Sequence, residues 1–153
     1  MNTAYYLKKL VEEFHSSTVG TLGRDGHPQS SGIGMMLWFG IGVYFLRTKG
    51  KDFYGQLMEQ GFIAVSAAKD KAAISLRGKV RCIGSQKLDE IFEKNSYMQK
   101  IYPDDTRAAL EVFWLYEGQG EYFDIGDPSH VVRDSFAIGD ADPVSHGYFV
   151  GQG

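Results

Sequence analysis

The stretch over residues 43–57, VYFLRTKGKDFYGQL, constrains the fold more than any other part of the chain. Val43, Phe45 and Arg47 alternate with Tyr44, Leu46 and Thr48, which is the period of a strand. Phe53, Tyr54, Leu57 and Met58 then recur at helical spacing. Strand and helix meet in a tight turn where Arg47, Lys49 and Lys51 crowd around Gly50. Like charges this close repel one another unless solvent or an anion screens them. The first turn of the following helix adds unpaired N–H groups and a partial positive charge. Such a place suits a phosphate monoester. A solvated basic turn is the alternative that the segment alone leaves open.

Short strands with turn signals surround this unit. Leu7, Leu10, Val11 and Phe14 fall at i, i+3, i+4 and i+7, so the chain opens with an amphipathic helix. A strand over residues 16–22 leads into Gly23-Arg24-Asp25-Gly26, whose Asp-Gly marks a hairpin. Residues 28–39 read as the second strand and 43–48 as the third. The helix at 51–60 ends near Gly61, a natural C-cap, and a fourth strand covers 62–68. Residues 73–83 alternate most cleanly, with Ile74, Leu76, Val80 and Cys82 on one face and Ser75, Arg77, Lys79 and Arg81 on the other. Those cations are either solvated or laid over an anionic ligand, and Arg77 is nearest the middle of the sheet. A helix is expected at 86–95 and another at 104–110, the latter entered through Pro103 with acidic residues in its first turn. Strands at 111–116 and 120–125 are joined by Glu117-Gly118-Gln119. The expected fold is mainly β, a six- to seven-stranded antiparallel split β-barrel with peripheral helices, over residues 1–126. Residues 127–153 read as a C-terminal extended arm.

Composition removes several function classes. The net charge of −3 leaves no excess of Lys and Arg for general nucleic-acid binding. Cys82 is the only cysteine, so no intrachain disulfide is possible. No stretch approaches the roughly 18 apolar residues of a membrane span. Residues 1–14 lack the apolar run of a signal peptide, so a cytoplasmic protein is expected. Gly32-Ile33-Gly34 lacks the third glycine of a dinucleotide fingerprint and sits inside a strand. No P-loop and no GxSxG elbow occurs. His15, His27, His130 and His146 lack metal-ligand spacing. Cys82 is expected to pack as a small hydrophobe. With no acid–base constellation in the sequence, a bound cofactor would carry any chemistry.

The pieces Thr18-Val19-Gly20-Thr21-Leu22, Asp25-Gly26-His27-Pro28 and residues 43–51 come in an order that resembles the FMN-binding split barrel of the pyridoxamine 5′-phosphate oxidase-like family. Leu76-Arg77-Gly78-Lys79-Val80 is similar to that family's long central strand. Lys100-Ile101-Tyr102-Pro103 and Leu110-Glu111-Val112-Phe113 are similar to its later helix and strand. The resemblance implies a homodimer with FMN in clefts between the subunits. It places Thr48 and Lys51 at the phosphate, Arg47 and Lys49 as neighbours, and Gln29, Ser30 and Ser31 along the isoalloxazine; apart from the resemblance, Arg77 is a candidate cofactor contact by its place in the strand. The implied function is a flavoprotein oxidoreductase acting on a small substrate or electron donor. The alternative is a non-catalytic flavin or haem carrier, or a redox sensor, on the same barrel. Gln29-Ser30-Ser31 stands where full pyridoxamine phosphate oxidases carry an arginine, and His130 and Arg133 do not reproduce their Arg-x-His, which argues against vitamin B6 oxidation. The aromatics Tyr97, Tyr102, Phe113, Trp114 and Tyr116 exceed what one small core needs and are candidates for the dimer interface.

Overall fold

Two long neighbouring strands organise the sheet, β6 (Ala72–Gly84) and β7 (Leu110–Asp124). The computed structural model describes residues 2–143. Before β6 come β1 (Ser16–Leu22), β2 (Pro28–Gly34), β3 (Leu37–Phe39), β4 (Gly42–Thr48) and β5 (Phe62–Lys69), and β8 (Val132–Ile138) follows β7. All pairings are antiparallel, and the sheet runs β2-β1-β5-β6-β7-β4-β3 with β8 also on β7. The split lies at β7. Its first half, Leu110 to Leu115, pairs with β4, while its second half, Gly118 to Asp124, pairs with β8.

Four helical segments flank the sheet: α1 (Thr3–Lys8), α2 (Asp52–Gln60), α3 (Leu88–Lys94) and α4 (Met98–Ile101). A π-helical stretch over Lys9–Phe14 continues α1, and a 3₁₀ stretch over Asp104–Ala109 precedes β7. Among the described residues no helix is long and apolar enough to cross a membrane.

Strand β4 is buried on both faces, as its unbroken apolar run requires. Val43 and Phe45 enter the barrel core with Val19, Val65, Leu76 and Phe113, while Tyr44 and Leu46 join a second core with Ile91, Phe92 and Val112. The N-terminal helix closes one end of the barrel with Leu7 and Leu10, both fully buried. Each such side chain contributes about 1.5–3 kcal/mol on burial. Helix α2 closes the other end with Leu57, and Gly61 caps it at φ 63°.

Among the described residues eight strands form where six or seven were expected: two departures add a strand and one removes one. The run 28–39 breaks at Met35–Met36: the Met35 N–H donates to His15 O and the Met36 N–H to Tyr44 O, so the chain leaves β1 and joins β4 as a separate edge strand. The expected turn at Glu117-Gly118-Gln119 is absent, and β7 continues through it as one strand with a register shift at Tyr116 against β6. Gly118 faces Gly78 there, and a Cβ on Gly78 would lie 2.0 Å from Glu117 O, so these glycines permit close backbone approach rather than a turn. Within the segment read as an extended arm, Val132–Ile138 pairs with β7 and puts Phe136 and Ile138 into the core. The remainder of that arm, from residue 144, lies outside the described residues.

Candidate functional site

The α2 end of the barrel is ringed by polar side chains. Period-two alternation puts Gln29 and Ser31 of β2 on the same face as buried Ile33, and Arg47 of β4 on the same face as Phe45. Arg47 Nη2 donates to Ser31 Oγ at 3.1 Å, although β2 and β4 share no ladder pairing among the described residues. Thr21 Oγ1 donates to Gln56 Oε1 at 2.6 Å, and Gln56 Nε2 donates to Gln29 Oε1 at 2.7 Å. Helix α2 is thereby tied to the rim of the β1–β2 hairpin.

Arg47 is the unusual member of this ring. Its guanidinium lies 5.1 Å from the centre of the Phe53 ring and forms no ion pair among the described residues. Burial pushes its pKa below the ordinary value, so the charge is held at a desolvation cost that an anion would offset. Glu111, its register partner on β7, turns elsewhere. Glu111 accepts from Tyr54 Oη at 3.0 Å and Cys82 Sγ at 2.8 Å, with Lys49 Nζ 3.9 Å away. The Cys82 hydrogen bond, then Tyr54 and Lys49, hold its carboxyl below the usual range. Burial, and then Glu111, push the Cys82 thiol up. Cys82 does pack against the core, but it also donates to a carboxylate, which a plain hydrophobe would not.

Lys51 is the N-cap of α2 in extended conformation, with no side-chain cap on the helix. It is exposed and forms no ion pair among the described residues. Gly50 turns at φ 82°, so the strand reverses into the helix within a few residues. Thr48 faces the other way from Arg47. Together with Gly32, Gly34, Leu46, Met98 and Tyr102 these two residues border a cleft of about 140 Å³, large enough for a phosphate-sized group but not for a tricyclic ring.

Ser30 and Arg77 belong to a different surface. The register aligns Ser30, Gly20, Ala64, Arg77 and Gln119 in one row across five strands of the outer face. Three strand spacings put Ser30 and Arg77 about 14 Å apart. Arg77 donates to Gln119 Oε1 at 3.1 Å, and the two border a shallow depression of about 370 Å³ over Gly20, Ala64, Ser66 and Ser75 that does not include Ser30. Its neighbours on β6 are also engaged, Lys79 with Glu117 at 2.8 Å and Arg81 over the Tyr116 ring at 4.0 Å.

The expected residues thus divide into a barrel-mouth group (Gln29, Ser31, Arg47, Lys49), a turn group (Thr48, Lys51) and an outer-face pair (Ser30, Arg77). Sequence reasoning missed Glu111, Tyr54 and Gln56. Only the β4–β7 register and the seating of α2 bring them to the site. Of the candidate interface aromatics, Phe113 is instead fully buried and stacks on Phe45 at 5.8 Å, and Trp114 stacks on Tyr44 at 6.0 Å.

No protein-family pattern and no curated protein matches the chain by sequence. Solved structures do match in fold. A NimC/NimA family protein of Clostridium acetobutylicum superposes with a TM-score of 0.72 at 17% identity, over 90% of this chain and 94% of that one. A protein from the same organism related to general stress protein 26 of B. subtilis, of the pyridoxinephosphate oxidase family, gives 0.66 at 18% identity over 90% and 97%. A pyridoxamine 5′-phosphate oxidase-related, FMN-binding protein of Nostoc punctiforme gives 0.59 at 11% over 89% and 94%. The fold is the split barrel of the pyridoxamine 5′-phosphate oxidase-like proteins.

Proposed function

We propose that this protein binds FMN and acts as an oxidoreductase on a small substrate, working as a two-fold homodimer in the cytoplasm. The observation that carries the reading is the half-buried Arg47, a desolvated cation with a hydroxyl and a ring for partners and no carboxylate. It stands beside a turn with Thr48 and the free Lys51 at an uncapped helix start. A phosphate monoester there would gain charge-assisted hydrogen bonds and the helix-end N–H groups together. Lys49 takes a lesser part, because Glu111 lies between it and full availability.

When bound, FMN supplies reversible hydride or electron transfer. The chain's own groups bind and orient. Arg47 and Lys51 offset the phosphate charge, and the Thr21–Gln56–Gln29 chain fixes the β2 rim along which the ring would lie. Between Ser30 and Arg77 the row carries only Gly20 and Ala64, small enough to leave room for a planar ring or the matching surface of a second copy. A single cysteine and no disulfide suit a reducing compartment.

Purified protein should show flavin absorbance between about 350 and 500 nm, and bound flavin should bleach on addition of NADH or NADPH. Colourless protein that added FMN does not reconstitute would overturn the reading. A haem spectrum would move the same barrel to the carrier alternative.

A further inference from the structure

The N-terminal helix ends at a histidine whose backbone most residues avoid. His15 has φ 57° and ψ −65°, close to the rare γ-turn with positive φ. It directly follows the π-helical stretch Lys9–Phe14, a variant found mostly as short insertions and often at functional sites. The His15 N–H donates to Leu10 O and its carbonyl accepts from the Met35 N–H, both at 2.8 Å. The ring is held as firmly. His15 Nε2 lies 2.5 Å from the Tyr97 hydroxyl, and the two rings meet edge to face. Gly34 leaves it room, since a Cβ there would stand 2.9 Å from Nε2.

This pair lies on the wall of a cavity of about 830 Å³ between the end of the N-terminal helix, edge strand β3 and the segment from α3 to α4. Trp38 and Phe39, with Val11, Met36 and Leu37, give it one apolar wall. The rest of the lining is polar: Glu90, Lys94 and Ser96 stand beside Glu12 and Asn95, which are already engaged. Glu12 accepts from Trp38 Nε1 at 2.7 Å, and Asn95 Nδ2 donates to Met36 O and Ile91 O at 2.8 Å each. Size and lining match a small-molecule pocket. Met36 separates it from the cleft at Arg47 and Thr48 and lines both.

We infer that this cavity binds a planar aromatic small molecule bearing a hydroxyl or ring nitrogen, with its ring against Trp38 and Phe39 and its polar atom on the Tyr97 hydroxyl oriented by His15. A tyrosine hydroxyl has one donor and two acceptor positions, so the bond to His15 leaves Tyr97 a direction for a ligand. The contact competing for it is the weak one to Met36 Sδ at 3.7 Å. Burial pushes the Tyr97 pKa up, so the hydroxyl stays protonated. Aromatic walls favour an aromatic occupant over a saturated one of equal size through edge and face contacts. The site is separate from the phosphate turn and stands whether or not the protein binds flavin.

Calorimetric titration of the full chain with 2-naphthol, and with its saturated counterpart 2-decalol, tests this. Saturable binding of one 2-naphthol per chain is expected, about tenfold or more tighter than 2-decalol. Tyr97→Phe should weaken 2-naphthol about three- to tenfold while leaving the circular dichroism spectrum unchanged. Trp38→Leu should weaken it as well. Absence of saturable binding, equal affinity for the two probes, or full affinity in Tyr97→Phe would overturn the inference. So would exclusion of 2-naphthol together with conversion of a dimer to monomer by Trp38→Lys, which would make the cavity an interface between copies.

Discussion

Arg47 on β4 reaches Ser31 on β2 with a 3.1 Å hydrogen bond that joins two strands sharing no backbone ladder. The bond closes the barrel at the α2 end and fixes a cation there whose burial no carboxylate offsets among the described residues. Arg47→Gln separates the roles of this residue. The apo-protein should change in stability by less than about 1 kcal/mol, because the lost hydrogen bond is offset by removal of a desolvated charge. FMN affinity should fall about tenfold or more. Thermal unfolding and flavin titration read the two effects, and a destabilised protein with unchanged FMN affinity would make Arg47 purely structural.

Lys51 and Lys79 are both exposed lysines, yet only Lys79 has an ion-pair partner, Glu117 at 2.8 Å. Lys51→Ala should therefore cost about 1.5–3 kcal/mol of FMN binding, roughly ten- to a hundredfold. Lys79→Ala should leave it unchanged. Equal effects in flavin fluorescence titrations would show that the turn does not hold the phosphate.

Gly78 and Gly118 are register partners on β6 and β7. A Cβ on Gly78 would meet Glu117 O at 2.0 Å and Gly118 Cα at 2.7 Å, and backbone cannot swing aside. Gly78→Ala should cost at least about 2 kcal/mol in denaturant unfolding. Gly32→Ala, with nothing within 4 Å of its new Cβ, should cost less than about 0.5 kcal/mol.

Glu111 makes stability depend on pH with a definite sign. Its folded pKa is depressed, first by the Cys82 hydrogen bond and then by Tyr54 and Lys49. The stabilisation is therefore present above the unfolded glutamate value of about 4.3 and is lost as pH falls through the lower folded value. Wild-type protein should lose stability more steeply than Glu111→Gln as the pH drops below that value. Parallel acid limbs in denaturant melts would contradict this.

The outer row Ser30–Gly20–Ala64–Arg77 offers the flat surface that a second copy would cover. Light scattering at micromolar concentration should give about twice the 17.1 kDa chain mass. Ala64→Arg, placing a long charged side chain on that floor, should shift the mass toward that of one chain. A monomeric wild-type protein would remove the homodimer from the account.

The residues that the sequence exposed were those whose neighbours in the chain are also neighbours in space. The strand–turn–helix of residues 43–57 was legible because alternation, Gly50 and helical spacing follow one another, and Gly61 stopped α2 where a glycine should. Glu111 was not legible, because only the register of β4 against β7 and the seating of α2 bring it to Tyr54, Cys82 and Lys49. Gly118 misled, since a glycine between two apolar runs signals a turn as readily as a close strand crossing. Val132–Ile138 was missed because its partner lies in the second half of β7, which local pattern had made a separate strand. The grouping of Gln29 with Ser31, and of Ser30 with Arg77, follows from period-two alternation once the pairing partners are known.

A phosphate monoester held at the turn from Arg47 to Lys51 would set FMN apart from riboflavin in affinity. Titration of the apo-protein with FMN and with riboflavin, which differs by that phosphate, measures it directly. FMN should bind at least about a hundredfold more tightly, a difference that Lys51→Ala should reduce. Affinities for the two flavins within about threefold of one another would contradict it.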